Sequence, residues 1–240
     1  MSAAVPPESK LIGMIGGISP FSTTYYYELM NGLARERLGA RHSARCLVHA
    51  VDFAGVEAMH VAKDWPGVTR ILCDAARSLE AGGAACVILA CNTMHNVADQ
   101  IAAAVSIPFL HIGDAVAESV KDAGHGRVGL LGTRFTMESP FIRERIEARG
   151  VEVAVPSAKT RGEVHRIIYD ELCAGVTRDA SRVRFLEALA ELQERHDIEA
   201  VVLGCTEIGL LVKPEDLPVP AFDTARCHAE AAVAFSLGRA

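Results

Sequence analysis

A chain of 240 residues is long enough for one large α/β unit or for two lobes of about 100 residues each. Half of its residues are hydrophobic, 22% are charged and the net charge is -6, an ordinary globular balance that argues against a nucleic-acid partner. The opening MSAAVPPESK is short and polar, and no apolar run reaches the roughly 18 residues of a membrane span, so a cytoplasmic protein with no membrane partner is expected.

The predicted strands are Leu11–Ile15, Cys46–Val51, Cys86–Ala90, Phe109–Ile112, Arg127–Leu131, Val151–Val155, Ala200–Gly204 and Val219–Phe222. Most are continuous short apolar runs, as expected where helices cover both faces of a parallel sheet. Helical patterns fall between them at Thr24–Leu38, Gly67–Ala81, Ala115–Ala123, Glu138–Arg149 and Arg178–His196. In the fourth of these, Arg143, Arg145 and Arg149 alternate with Glu138, Glu144 and Glu147, the pattern of a solvated helix face. Strand–helix alternation over the whole length gives an α/β protein with mainly parallel sheets.

The chain reads as if written twice. Ile12-Gly-Met-Ile-Gly-Gly17 matches Val128-Gly-Leu-Leu-Gly-Thr133 at an offset of 116 residues. VILACNTMH (87–95) matches VVLGCTEIG (201–209) at 114, and IPFL (107–110) matches VPAF (219–222) at 112. Three matches in one order, with Gly, Cys and Pro recurring, point to an internal duplication and two pseudo-symmetric lobes. Ligands of parallel sheets gather beyond the carboxyl ends of the strands, where Cys91 and Cys205 both fall.

The seven cysteines are an odd number with no CxxC, so neither a disulfide framework nor a structural zinc site is favoured, and no metal is expected. Cys46, Cys73 and Cys86 read as core residues. Cys91 and Cys205 are different, because they form a matched pair. A thiol is an acid–base group with a pKa near 8.5. Two of them on opposite faces of a carbon suit inversion: one removes a proton from one face, and the other delivers a proton to the opposite face. Burial raises a thiol's pKa and a helix N-terminus lowers it, and the sequence leaves that contest open. His95, His111 and His228 read first as core or helix-end histidines. Cys91 with His95 makes only half a metal site. Glu207 reads either as a general base or as the residue that opens a helix.

GGISPFST near the N-terminus, CNTMH (91–95) and GCTEI (204–208) resemble the motifs of the aspartate/glutamate racemase family, which works without pyridoxal phosphate. The similarity extends to HAVDF (49–53), IPFLHIGDA (107–115), LLGTRFTM (130–137), IIYDEL (167–172) and VPAFDTARCHAEAAVAF (219–235), and the later segments look closest to broad-specificity amino-acid racemases. The resemblance implies two α/β lobes, 1–111 plus 219–240 and 112–218, with the active site in the cleft between them and the strand at Val219–Phe222 returned to the first lobe. It implies a homodimer that needs no cofactor and acts on an amino-acid substrate. Cys91 and Cys205 are implied as the acid/base pair. Asn92, Thr93, Thr206 and the backbone of Glu207 would hold the substrate's carboxylate and ammonium. Thr133, Ile18, Ser19 and His60 would be further substrate contacts.

Two departures bear on specificity. Aspartate-specific members recognise the side-chain carboxylate with an Arg after the second strand and a Lys in a segment like IYEGVKAG. Here the first segment, VDFAGVEAMH, has no Arg, and Cys173 stands where the Lys would be. Arg161, Lys159 and Lys63 are the candidate substitutes. The reading is therefore a racemase that accepts several amino acids. The alternatives are a cysteine-dependent isomerase or decarboxylase of small dicarboxylates on the same scaffold, and an amino-acid-binding protein without turnover.

Overall fold

The computed structural model describes residues 9–238. The elements run β1 (Ile12–Gly16), α1 (Pro20–Leu38), β2 (Cys46–Ala50), α2 (Phe53–Val61), α3 (Trp65–Ala81), β3 (Cys86–Leu89), a 3-10 turn (Thr93–Val97), α4 (Ala98–Ala103) and α5 (Ile112–Asp122). They continue with β4 (Arg127–Gly132), α6 (Arg134–Glu138), α7 (Pro140–Glu147), β5 (Glu152–Ala154), α8 (Ala158–Arg166), α9 (Asp179–His196), β6 (Ala200–Gly204), α10 (Ile208–Leu211), β7 (Ala221–Asp223) and α11 (Thr224–Ser236).

Local chemistry sets many of the boundaries. Asp52 and Asp64 cap α2 and α3 by accepting from the Gly55 and Gly67 N–H groups. Ser19 caps α1, whose first residue is Pro20. Gly17 has φ of 89°, and a side chain there would run into the Val51 carbonyl, so the turn after β1 needs glycine.

Two sequence expectations change here. The helix expected over Glu138–Arg149 is broken, because Ser139 precedes Pro140 and adopts an extended conformation, so α6 ends and α7 restarts. The strand expected at Phe109–Ile112 shrinks to one bridge, Phe109 to Val87. His111 ends it by accepting from Gly113 N at 2.9 Å, which starts α5 at Ile112.

The chain divides into two compact units. One comprises the described residues up to Ala90, Val97–Leu110 and those from Ala229 onward; the other comprises Cys91–Asn96 and His111–His228. The first holds a parallel sheet in the order β2-β1-β3, with the Phe109 bridge beside β3. Its core includes Ile12, Met14, Leu72, Leu79, Ile88 and Ile101. The second holds a parallel sheet in the order β5-β4-β6-β7. Its core includes Val116, Leu130, Phe185, Leu189, Val202 and Ile208.

The two sheets repeat one plan. Val87 N donates to Pro108 O at 2.8 Å, and Val201 N donates to Pro220 O at 2.9 Å. The IPFL and VPAF segments thus do the same job, each beside its own cysteine-bearing strand. This corrects the expected division, because β7 pairs with β6 rather than returning to the first sheet. The chain rejoins the first unit only within α11, where Ser236 Oγ donates to Lys10 O at 2.6 Å. The turn at Cys91–Asn96 also changes sides, because its side chains bond to Thr224 and Ile112.

Candidate active site

Cys91 follows β3 and lies half-buried at the start of the 3-10 turn. The Thr93 and Met94 N–H groups donate to its sulfur. Those donors favour the thiolate, but burial outweighs them, and the Glu207 carboxylate adds to it. The Cys91 thiol is pushed up to about 11. The contest that the sequence left open is won by burial.

Cys205 follows β6 and is also half-buried. Its Sγ–H donates to Glu207 Oε2 at 2.9 Å, and Thr206 Oγ1 donates to the same oxygen at 2.8 Å. Burial, then the Glu207 charge and this hydrogen bond, push the Cys205 thiol well above its usual range. Glu207 immediately precedes α10 yet makes no side-chain cap, so its carboxylate is committed to Cys205 and Thr206 rather than to starting the helix. It acts electrostatically on both thiols.

A buried hydrogen-bond chain ties the two cysteine turns together. Thr224 Oγ1 donates to Leu203 O at 3.1 Å, two residues before Cys205. The same oxygen accepts from Asn92 Nδ2 at 2.9 Å, next to Cys91. Thr224 is wholly buried and Asn92 nearly so. Asn92 Oδ1 is buried without a hydrogen-bond partner among the described residues. A buried carbonyl oxygen of that kind suits an N–H donor from a ligand.

The second unit therefore brings together Cys91, Asn92, Thr93, Cys205, Thr206 and Glu207. Thr133 follows Gly132, which pairs with Gly204 beside Cys205. Its hydroxyl caps α6 by accepting from Thr136 N at 3.2 Å. Ile18, Ser19 and His60 belong to the first unit. Ile18 is buried, Ser19 caps α1, and His60 sits on α2 with its ring 5.4 Å from that of Trp65. Burial holds the His60 imidazole below its usual pKa, with Glu57 partly opposing. Thr224 was missed by the sequence reading. Only the pairing of β7 with β6 carries it to the site, and no spacing in the sequence signals that.

Arg161 is not available as a substitute side-chain cation. Its Nε donates to Glu138 at 3.0 Å and its guanidinium to Pro156 O at 2.7 Å. Cys173 is exposed and acts electrostatically on Cys205, so the position where the Lys would stand carries no cation. Among the described residues no group of three or more His, Cys, Asp or Glu is arranged to hold a metal ion. No helix among them is long and apolar enough to cross a membrane.

Two half-buried thiols thus follow β3 and β6, and the Glu207 carboxylate acts electrostatically on both. The profile of the Asp/Glu/hydantoin racemase family matches residues 15–232. The chain belongs to this family. Among curated relatives, the broad specificity amino-acid racemase RacX of Bacillus subtilis is 23% identical over 232 residues, covering 93% of this chain and 96% of the relative. A Yersinia pestis crystal structure provisionally assigned as an Asp/Glu racemase superposes with a TM-score of 0.90 at 42% identity, covering 95% of this chain and 99% of that one. An aspartate racemase homologue from Pyrococcus horikoshii gives a TM-score of 0.85 at 35% identity, with coverage of 95% and 99%. The racemase fold, two parallel sheets each flanked by helices, is thus the fold of this family member.

Proposed function

We propose that the protein is a cofactor-independent amino-acid racemase in which Cys91 and Cys205 are the two proton-transfer groups. The observation that carries this reading is the pair of matched half-buried thiols, both within the influence of the Glu207 carboxylate.

In one direction, Glu207 Oε2 takes the proton that Cys205 already shares with it, which leaves a thiolate. The thiolate removes the Cα proton from one face of the substrate, and the Cys91 S–H delivers its proton to the opposite face. Cys91 is then the thiolate, met by the Thr93 and Met94 N–H groups; Glu207 gives its proton to solvent and Cys91 takes one from solvent, which restores the starting state. In the reverse direction Cys91 is the base and Cys205 the acid. Both thiolates are met by backbone donors, Thr93 and Met94 N–H at Cys91 and Glu207 N–H at Cys205, and only Cys205 also has a carboxylate in hydrogen-bond contact.

Substrate binding follows from the same residues. Asn92 Oδ1 suits the ammonium, because it is a buried acceptor in need of a donor. The Thr93 and Thr133 hydroxyls supply donors suited to the α-carboxylate, whereas the Thr206 hydroxyl is given to Glu207 and the Glu207 N–H to the Cys205 sulfur. Donors fixed in place before reaction stabilise the carbanion-like state without reorganising. The uncharged Cys173 and the committed Arg161 favour a racemase with broad tolerance over one that demands an acidic side chain.

We further propose a cytoplasmic homodimer. All seven cysteines are free thiols, which suits a reducing compartment. The first unit exposes Phe21, Val61, Tyr27, Val48 and Phe53, apolar surface that a second copy would cover. Sedimentation at micromolar concentration should give twice the chain mass, and a monomer would reject the dimer.

Chiral chromatography of a panel of L- and D-amino acids, with no cofactor added, tests the central reading. Interconversion of several amino acids in both directions is the expected result. Turnover of none, together with isomerisation or decarboxylation of small dicarboxylates, would replace it with the alternative chemistry.

A further inference from the structure

The turn that carries Cys91 is held from behind by an imidazole. His95 is 1% exposed. Its Nδ1 lies 2.8 Å from the Cys91 carbonyl oxygen, and its Nε2 lies 3.3 Å from Ile112 N. A backbone N–H only donates, so Nε2 is the acceptor. The ring proton is therefore on Nδ1, donated to the Cys91 carbonyl. Two hydrogen bonds thus select one neutral tautomer.

The surroundings agree with that assignment. The His111 and His228 rings meet His95 edge-on, with centroids 4.8 Å and 5.6 Å away. Burial, then these two neighbours, hold the His95 imidazole well below its ordinary pKa, so it stays neutral. His111 uses its own Nδ1 to accept from Gly113 N, on the same first turn of α5 that donates to His95. His95 therefore fastens the Cys91 turn to a helix start that is itself fixed.

The consequence falls on the sulfur. The carbonyl that His95 holds belongs to Cys91, and the N–H groups of Thr93 and Met94, two and three residues along the turn, are the donors to the Cys91 thiol. Rotation of that carbonyl would turn these donors away. We propose that His95 is a positioning residue, which keeps the Cys91 thiol and its two backbone donors in the geometry that proton transfer needs. Its effect on turnover rests on the racemase reading, but its effect on Cys91 does not. The groups facing the Cys91 thiol are Glu207, from the turn after β6, and the two N–H groups of its own turn. Those facing His95 are His111, from the start of α5, and His228, from α11.

Two near-isosteric variants separate the two bonds. In His95→Asn, the amide nitrogen takes the place of Nδ1 and keeps the bond to Cys91 O, but the acceptor for Ile112 is lost. In His95→Gln, the amide reaches the place of Nε2 and keeps the acceptor, but the donor to Cys91 O is lost. Each variant thus gives up one buried bond. His95→Asn should racemise within about threefold of the parent. His95→Gln should lose about 100-fold in kcat with KM little changed, the scale of an ångström misplacement of a reacting group. Alkylation of Cys91 by iodoacetamide, followed by peptide mass spectrometry, should need a pH about one unit higher in His95→Gln only, with Cys205 unaffected.

Equal behaviour of the two variants overturns the proposal, because simple packing would be lost equally in both. Loss confined to His95→Asn overturns it as well. Should either variant fail to fold, the imidazole 15N spectrum of the parent decides: an Nδ1–H neutral ring is expected, and an Nε2–H ring or an imidazolium overturns it. The alkylation and tautomer measurements need no substrate, so they judge His95 separately even if the parent racemises nothing.

Discussion

Replacing Thr224 by Val keeps the side-chain shape and removes only the hydroxyl that bridges the two cysteine turns. Asn92 Nδ2 then loses its acceptor and the Leu203 carbonyl loses a donor, both in buried surroundings. A buried polar group left without a partner costs about 1–3 kcal/mol, and a lost neutral hydrogen bond about 1 kcal/mol, so the sum is about 2–4 kcal/mol. At about 2–4 °C per kcal/mol for a chain of this size, the melting temperature should fall by about 5–15 °C. The Asn92 amide also becomes free to turn its oxygen away from the substrate. KM should therefore rise about tenfold, the equivalent of one lost hydrogen bond. Differential scanning fluorimetry and chiral chromatography read the two effects, with Thr224→Ser as the hydroxyl-retaining control. A Thr224→Val protein that melts within about 2 °C of the parent with unchanged KM would show that the Thr224 hydroxyl does not hold the two turns. So would a Thr224→Ser protein damaged as badly as Thr224→Val.

Other residues give independent tests. Glu207→Gln removes the charge that holds the proton on Cys205 and leaves at most a neutral acceptor there, so the Cys205 thiol should titrate lower and alkylate about tenfold faster at fixed pH, by loss of a charge-assisted bond of roughly 1.5 kcal/mol. Racemisation should nevertheless fall about 100-fold, because the proton acceptor beside Cys205 is gone; unchanged alkylation would show that Glu207 does not act on this thiol. Cys86 is wholly buried and its thiol is pushed up to about 12 by burial, from 9.0. The folded chain therefore keeps this proton where the unfolded chain loses it, so stability is complete below pH 9 and declines as pH rises toward 12, by up to roughly 4 kcal/mol. Urea unfolding across that range should show a shallower alkaline decline in Cys86→Ala than in the parent, and parallel curves would contradict the burial argument.

The fold was largely legible because buried parallel strands are written as short continuous apolar runs. β1, β3, β4 and β6 appear within a residue or two of their expected places, and the repeat in the sequence became the repeated order of the two sheets. What was not legible depended on partners distant in the chain. IPFLHI reads as a strand until His111 is seen accepting from Gly113. VPAF reads as a copy of IPFL, yet which sheet it joins is decided by the N–H of Val201, not by its own composition. The cysteines stood out because two alike residues occupied two alike positions. Asn92, Thr93, Thr206 and Glu207 followed as their neighbours. Thr224 and the role of His95 had no such signal, since each acts through a bond to a residue whose position only folding supplies.

Proton exchange at Cα in D2O, followed by proton NMR with chiral analysis of the products, tests the two-thiol mechanism most directly. The parent, Cys91→Ala and Cys205→Ala would be compared on both enantiomers of each amino acid that the parent turns over. Deuterium should enter both enantiomers with the parent, and neither variant should invert the substrate. Any residual exchange should be confined to one enantiomer in Cys91→Ala and to the other in Cys205→Ala, because each surviving thiol faces one side of the carbon. Inversion that persists in either variant, or residual exchange of the same enantiomer in both, would contradict the two-thiol mechanism.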